Sequence, residues 1–276
     1  MLEKISFFKY SATGNDFILI DNRAKRFTGA EKKLFFELCS RKTGVGADGM
    51  LLIESPRRPD CDFTMRYFNR DGRESEMCGN GARASAYHAA TTNLAASSMQ
   101  FEVSGDLYRA EVAQDRIKLV MQEPRDLRLH LGVLQTLAIP AITKMTEGGY
   151  VNTGVPHFVV FVDSVEQVEV ENAGRALRYH RAFAPAGVNA NFVEIAGETC
   201  LKIRTYERGV EEETLACGTG AAAAALIAHE LRGLKFPLRL LARGGELVVS
   251  REAHSNRLLL EGRVKRIFTG EFERWN

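Results

Sequence analysis

The segment Phe68-Asn-Arg-Asp-Gly-Arg-Glu-Ser-Glu-Met-Cys78-Gly-Asn-Gly-Ala-Arg-Ala has a counterpart in the second half of the chain, Tyr206-Glu-Arg-Gly-Val-Glu-Glu-Glu-Thr-Leu-Ala-Cys217-Gly-Thr-Gly-Ala-Ala. Each copy leads from an alternating apolar/polar run, read as a strand, through a polar turn to Cys-Gly-x-Gly-Ala and then to an alanine-rich run read as a helix. Each cysteine is therefore predicted at a helix N-terminus. There, unpaired backbone N–H groups and the positive dipole end favour a thiolate and can hold a carboxylate or enolate. The two cysteines lie about half the chain apart, so the simplest arrangement is two similar domains facing each other across a cleft.

Two such thiols suit one kind of chemistry. Inverting a carbon stereocentre by proton transfer needs a base on one face and an acid on the other. A free thiol pKa of about 8.5 lets a modest shift set opposite protonation states near neutrality. Two helix N-termini aimed at one carboxylate would stabilise the carbanion where its charge develops. This chemistry demands no cofactor.

Composition narrows the class. The chain has 276 residues, 45% of them apolar and 26% charged, as in a soluble globular protein large enough for two cores. A formal charge of +2 leaves no basic face for nucleic acid, and Arg57-Arg58 reads as a solvated turn. The N-terminus lacks a signal-peptide apolar region and the longest apolar run, Ala221 to Ala228, is too short to span a bilayer, so neither membrane nor export is expected and the setting is cytoplasmic. Five cysteines argue against a disulfide framework; Cys39 and Cys200 read as core residues, and Cys61 is uninformative. The histidines show no ligand spacing, so no metal site is expected.

Along the chain, strands are predicted at Ile5 to Tyr10 and Phe17 to Asp21, around a polar loop that carries Asn15 either toward a ligand or back onto its own backbone. A helix follows at Glu31 to Arg41, strands at Met50 to Glu54 and Phe63 to Asn69, the first glycine-capped helix at Gly79 to Ala90, and a meander from Met99 to Met121. A boundary falls near Glu123-Pro124. Beyond it come strands around Gly154-Val155-Pro156-His157, a helix at Val168 to Tyr179, strands at Asn191 to Ile195 and Leu201 to Tyr206, a helix at Gly218 to Glu230, and four short strands, the last two Leu258 to Glu261 and Val264 to Phe272. The class is α+β.

Other readings of the motifs remain open at this point. Both fit G-x-G-x-x-A, a dinucleotide-binding turn, although a polar stretch separates strand from glycine and the surroundings read as meanders. Both could be ordinary helix starts with packing glycines, which leaves the repeated cysteine unexplained, or the cysteines could form a redox pair.

Four segments carry a resemblance: Gly14-Asn15-Asp16-Phe17, Gly44-Val-Gly-Ala-Asp48-Gly49, and the two cysteine segments, the second including Glu207-Arg208. Through them the chain resembles the diaminopimelate epimerases over essentially its whole length. The resemblance implies two pseudo-symmetric domains, each a mostly antiparallel β-structure around a central helix: residues 1–123 with 264–276, carrying Cys78, and 124–263, carrying Cys217. It implies a pyridoxal-independent enzyme interconverting LL- and meso-2,6-diaminopimelate, on the route to lysine and peptidoglycan, with a small-molecule substrate, no cofactor and a homodimer as an option. Cys78 and Cys217 would be the acid/base pair. Gly79, Asn80, Gly218 and Thr219 would hold the reacting carboxylate through backbone amides, with Asn15 nearby. Asn69, Asn189 and Arg208 would read the distal amino-acid head, Glu207 would take its ammonium, and Glu207 with His157 would set thiol protonation.

The chain also departs from the family pattern. Val155 stands where Gly-Asn-Pro-His is usual, with Thr153 as a candidate replacement for the lost amide. Ser11-Ala12-Thr13 replaces a commoner histidine-glycine-leucine, and Gly49 stands where some members carry glutamine. An altered distal pocket would suit a related cofactor-independent racemase, of histidine or proline for example. A non-catalytic amino-acid-binding or thiol-switch protein is the reading from another class.

Overall fold

A computed structural model describes residues 2–75, 77–134 and 147–275. The chain divides into two compact units, Met1–Leu119 with Gly262–Asn276, and Val120–Glu261.

The first unit begins with β1 (Leu2–Ala12) and β2 (Asn15–Asp21), an antiparallel pair joined at Thr13-Gly14, both with positive φ. Helix α1 (Lys32–Cys39) leads to β3 (Gly49–Glu54), parallel to β2. Strand β4 (Phe63–Asn69) pairs antiparallel with β3 and with the two-residue β5 (Glu74–Ser75), after which α2 (Gly79–Thr91) begins. From α2 the chain passes to β6 (Ser98–Val103), parallel to β4, and β7 (Asp106–Ala113), antiparallel to β6; β8 (Arg116–Val120) follows.

The second unit repeats this order. After β9 (Arg125–Leu129) come β10 (Gly148–Asn152) and β11 (Pro156–Phe161), antiparallel, then α3 (Val170–Arg178) and β12 (Asn189–Gly197), parallel to β11. Strand β13 (Cys200–Glu207) pairs antiparallel with β12 and with the short β14 (Glu212–Thr214), and α4 (Gly218–Arg232) follows. Then β15 (Leu238–Ala242) lies parallel to β13, and β16 (Gly245–Arg251) is antiparallel to β15. Strand for strand and helix for helix the units correspond, each mostly antiparallel around a buried helix. The α+β class and the pseudo-symmetry read from the sequence describe this architecture.

Three local expectations are corrected. The surroundings of the cysteine motifs, read as meanders, contain two parallel crossovers, β4–α2–β6 and β13–α4–β15, each carried by an alanine-rich helix; the meander predicted from Met99 starts after the first of them, with β6 and β7 antiparallel. The two C-terminal strands are one, β17 (Leu258–Trp275), which pairs with β1 from Leu2↔Trp275 to Ala12↔Val264 and absorbs its irregularity in a register shift at Lys9/Tyr10. Finally, β5 and β14 fall in stretches read as polar turns; their hairpin pairing supplies the hydrogen bonds that their sequences do not advertise.

Small side chains let α2 and α4 sit in the units' centres. Ten residues of each helix are buried, mostly Gly and Ala; separate apolar clusters form with the other helices, Ile18, Met50 and Phe68 with Phe35 of α1 in the first unit and Phe158, Phe192 and Tyr206 with Leu177 of α3 in the second. Gly220 shows how tight the fit is: a Cβ there would run into Asn191 Oδ1 and lie 3.4 Å from Cys217 Sγ. Gly220→Ala would therefore push α4 off the strand that carries Asn191.

Candidate active site

Each motif cysteine is the N-cap of its helix. Cys78 caps α2 in an extended conformation (φ −134°, ψ 113°), and Cys217 caps α4 likewise (φ −122°, ψ 114°). Their sulfurs have different partners. Cys78 Sγ accepts from the Gly81 backbone N–H at 3.4 Å, whereas Cys217 Sγ lies 3.4 Å from Thr219 Oγ1. Cys78 is half-buried and Cys217 buried, and none of the five cysteines is in a disulfide. Cys39 is a core residue; Cys61 is buried too, and Cys200, expected in the core, is half-buried because it begins β13.

Behind Cys217 runs a polar relay whose direction the geometry decides. Asn191 Nδ2 faces the carbonyls of Phe158 and Asn189 at 3.2 and 3.3 Å, and its Oδ1 accepts from the Thr205 hydroxyl at 3.0 Å, so the amide cannot be turned over. Its N–H side therefore donates to His157 Nδ1 at 3.1 Å. That places the imidazole proton on Nε2, which donates to Thr219 Oγ1 at 2.9 Å and leaves the hydroxyl hydrogen for Cys217 Sγ. His157 is wholly buried, and burial, with the Arg208 charge acting the same way, lowers its pKa to about 3. It is a neutral donor at physiological pH. Thr153 is also drawn into this support: its hydroxyl donates to the Thr219 carbonyl at 2.8 Å from a buried position, so it does not replace the amide absent at Val155.

Glu207, Arg208 and Asn189 meet at the adjoining strand ends. Asn189 stands in register with His157 and uses its amide twice, donating to the Pro156 carbonyl at 3.0 Å and accepting from the Arg208 N–H at 2.7 Å. Arg208 Nη1 reaches the Ala186 carbonyl at 3.2 Å. Glu207 accepts from the Thr214 hydroxyl at 3.0 Å, and burial raises its carboxyl above the ordinary range against that bond. The turn after them is shaped by Glu211, which accepts from the Gly209 N–H and pairs with Arg178 at 3.1 Å.

In the first unit Asn15 does not fold back on its own backbone. It opens β2, donates to Asp48 Oδ2 at 3.1 Å and accepts from Asn80 Nδ2 at 2.5 Å. Asp48 is itself held by Arg41, which also binds Asp16. Burial works to raise the Asp16 carboxyl, but the bonds from Arg41 and Lys9 overcome it and hold it at about 2. Asn69 is exposed at the end of β4, in register with Gly49 and through it with Phe17, one residue from Asp16 at the same sheet end. Gly49 has no room for a side chain: a Cβ would lie 2.6 Å from both the Phe68 carbonyl and the Tyr67 ring.

Beyond the residues predicted from sequence, the site includes Asn191, Thr205, Arg83 and the bond between Asp48 and Asn15. Asn191 had a signal, since two residues after Asn189 on a strand is the same face. So had Arg83, an arginine in an alanine-rich helix. Among the described residues no cluster of three His, Cys, Asp or Glu side chains could hold a metal ion, and no helix is long and apolar enough to cross a membrane.

The family profile "Diaminopimelate epimerase" matches residues 7–126 and 149–267, taking in both cysteine motifs. The chain belongs to the diaminopimelate epimerase family. Among its relatives are the diaminopimelate epimerases of Aquifex aeolicus, 39% identical over 96% of this chain and 97% of that one, and of Archaeoglobus fulgidus, 36% identical over 97% and 96%. Membership of the diaminopimelate epimerase family makes the chain an isomerase with a small-molecule substrate. Solved structures with this fold include a phenazine biosynthesis protein of the PhzF family from Bacillus anthracis (TM-score 0.75, 16% identity, 99% of this chain and 100% of that one) and a probable proline racemase from Agrobacterium radiobacter (TM-score 0.67, 15% identity, 96% and 92%). At such identities the likeness is one of fold. The dinucleotide-binding reading falls with the family assignment, and the structure gives the physical reason: β5 and β14 stand between each strand and its glycine turn.

Proposed function

We propose that the protein interconverts LL- and meso-2,6-diaminopimelate by a cofactor-independent two-cysteine mechanism, in the supply of lysine and peptidoglycan precursor. The observation that carries this reading is the repeated cysteine N-cap, Cys78 on α2 and Cys217 on α4, within a family of epimerases. One cysteine, as thiolate, takes the α-proton; the other, as thiol, delivers a proton to the opposite face of the carbon. The reaction is reversible, so each sulfur must carry negative charge in turn. For Cys217 the donor is the Thr219 hydroxyl, aimed by His157 and Asn191. The first-turn amides of the two helices, those of Gly79, Asn80, Gly218 and Thr219, stabilise the carboxylate as it takes on enolate character.

Arg208 is assigned to the distal carboxylate and Glu207 to the distal ammonium, with Asn69 and Asn189 beside them; Asn189 acts at least by holding the Arg208 backbone. Val155 favours the second reading, a related amino-acid racemase, since it removes one distal hydrogen bond worth about 0.5–1.5 kcal/mol. Arg208 opposes it, because a substrate lacking a second carboxylate gives that cation no counter-charge. Incubating LL-diaminopimelate, histidine and proline separately with the enzyme in deuterated water tests both readings. Deuterium should enter the α-position of diaminopimelate with loss of optical purity; exchange confined to histidine or proline would favour the second. A cytoplasmic setting and a homodimer go with the first reading, and analytical ultracentrifugation measures the oligomeric state.

A further inference from the structure

Arg83 is the single arginine of α2, and it is completely buried. Its Nη2 donates to Thr13 Oγ1 at 3.1 Å and to Asn80 Oδ1 at 2.5 Å, while Nε and Nη1 have no hydrogen-bond partner among the described residues. Both partners are neutral. Burial lowers the guanidinium pKa to about 10, with the Cys78 thiolate opposing it, so the group is charged at neutral pH. A buried cation held only by neutral groups calls for an anion.

The strands packed against α2 do not supply that anion. Lys9 is paired with Asp16, Arg41 with Asp16 and Asp48, Asp21 with Arg23, Glu54 with Arg66, and Glu111 with Lys118. Lys4, Asp106 and Arg109 are exposed, and Tyr10 is hydrogen-bonded to His88. Cys78, the N-cap five residues before Arg83, is the remaining group of α2 and its cap able to carry negative charge near neutral pH, since phenols such as Tyr87 ordinarily ionise only at about pH 10.

The repeat supplies a second argument. Aligning the cysteines sets Asn80 against Thr219, Gly81 against Gly220 and Arg83 against Ala222. In the second copy the sulfur receives a hydroxyl hydrogen from Thr219, backed by a neutral histidine. The first copy has no hydroxyl at that place, and the residue substituted one turn on is a cation. Hydrogen-bond direction agrees: Arg83 donates to Asn80, Asn80 to Asn15 and Asn15 to Asp48, a chain running from a group with donors only to a carboxylate with acceptors only, which locks both amides.

We propose that Arg83 is the positioning residue of the Cys78 half of the site: its buried charge is the counter-charge of the Cys78 thiolate, and its hydrogen bond fixes the orientation of Asn80 and, through it, Asn15. The proposal rests on the reading of Cys78 as a proton-transfer group. Its test is the rate of iodoacetamide alkylation at Cys78 and at Cys217, resolved by peptide mass spectrometry between about pH 5 and 10, in the unmodified protein, Arg83→Met and Arg83→Lys. Unmodified Cys78 should titrate below the ordinary thiol value of about 8.5. Arg83→Met should raise its midpoint by about one pH unit or more, with Cys217 unmoved, and Arg83→Lys should restore most of the shift. The proposal is overturned if unmodified Cys78 titrates at or above the ordinary value, or if an Arg83→Met protein that melts cooperatively keeps the unmodified profile. The first criterion applies even where Arg83→Met does not fold. A protein inactive on diaminopimelate but with the low Cys78 midpoint would remove the functional reading and leave this assignment standing.

Discussion

His157 Nε2 donates to Thr219 Oγ1 at 2.9 Å, and because Asn191 occupies Nδ1 the hydroxyl hydrogen is directed to the sulfur of Cys217. Thr219→Val keeps the shape and deletes the donor. A hydrogen bond to a charged group contributes about 1.5–3 kcal/mol, so kcat should fall roughly ten- to a hundredfold while KM changes little. The alkylation midpoint of Cys217 should rise in the same protein. Steady-state kinetics with an unchanged kcat would remove the hydroxyl from the mechanism.

Replacing either cysteine by alanine should abolish epimerisation of LL-diaminopimelate and leave the fold in place, since each side chain sits at a helix start. Serine is a weaker acid of similar shape, so Cys78→Ser and Cys217→Ser should exchange the α-proton slowly and unequally from the two substrate isomers. NMR of solvent deuterium uptake measures this, and substantial turnover by an alanine variant would defeat the two-base scheme.

Arg208→Ala should cost roughly ten- to a hundredfold in kcat/KM for diaminopimelate through loss of a charge-assisted bond. Lysine should recover only part, lacking the planar fork. Asn189→Ala, which releases the Arg208 backbone, should show a milder loss of the same kind. Kinetics on the three variants decide whether Arg208 reads the distal carboxylate; an undiminished preference for diaminopimelate in Arg208→Ala would mean it does not.

Two histidines make the fold sensitive to acid. Burial first of all lowers His157 to about 3 and His88 to about 4, against about 6.5 in an unfolded chain. Between those values the unfolded chain binds more protons, so stability is retained above about pH 6.5 and falls as the pH drops, by up to about 1.4 kcal/mol per unit for each histidine. Asp16 acts in a lower window: its depressed pKa stabilises the fold above about 4 and is lost below. Urea midpoints measured from about pH 7 to 5 should therefore decline, and less steeply in His88→Gln. An equal decline in that variant would show that His88 is not held neutral. The activity profile should contain no ionisation from His157 in this range.

The sequence by itself determined the duplication, the α+β class and the two cysteine N-caps. These rest on local patterns: apolar alternation in β4 and β13, the Cys-Gly-x-Gly turn, and the small residues of α2 and α4, all written within a few residues of one another. Only the tertiary structure decided which polar groups touch. Asn191 reads as one more residue of an apolar strand until β11 brings His157 against it and α4 brings Thr219 against His157, and an arginine in an alanine-rich run shows Arg83 to be unusual without showing that its guanidinium is buried beside Asn80 and Thr13. The parallel crossovers were hidden for the same reason, since a strand's sequence records which face is buried and not which neighbour donates its hydrogen bonds. Val155 and Gly49 mark the boundary between the two kinds of information. Their departure from the family pattern is visible in the sequence, but that Gly49 is obligatory follows from the Tyr67 ring and the Phe68 carbonyl, which occupy the space a side chain would need.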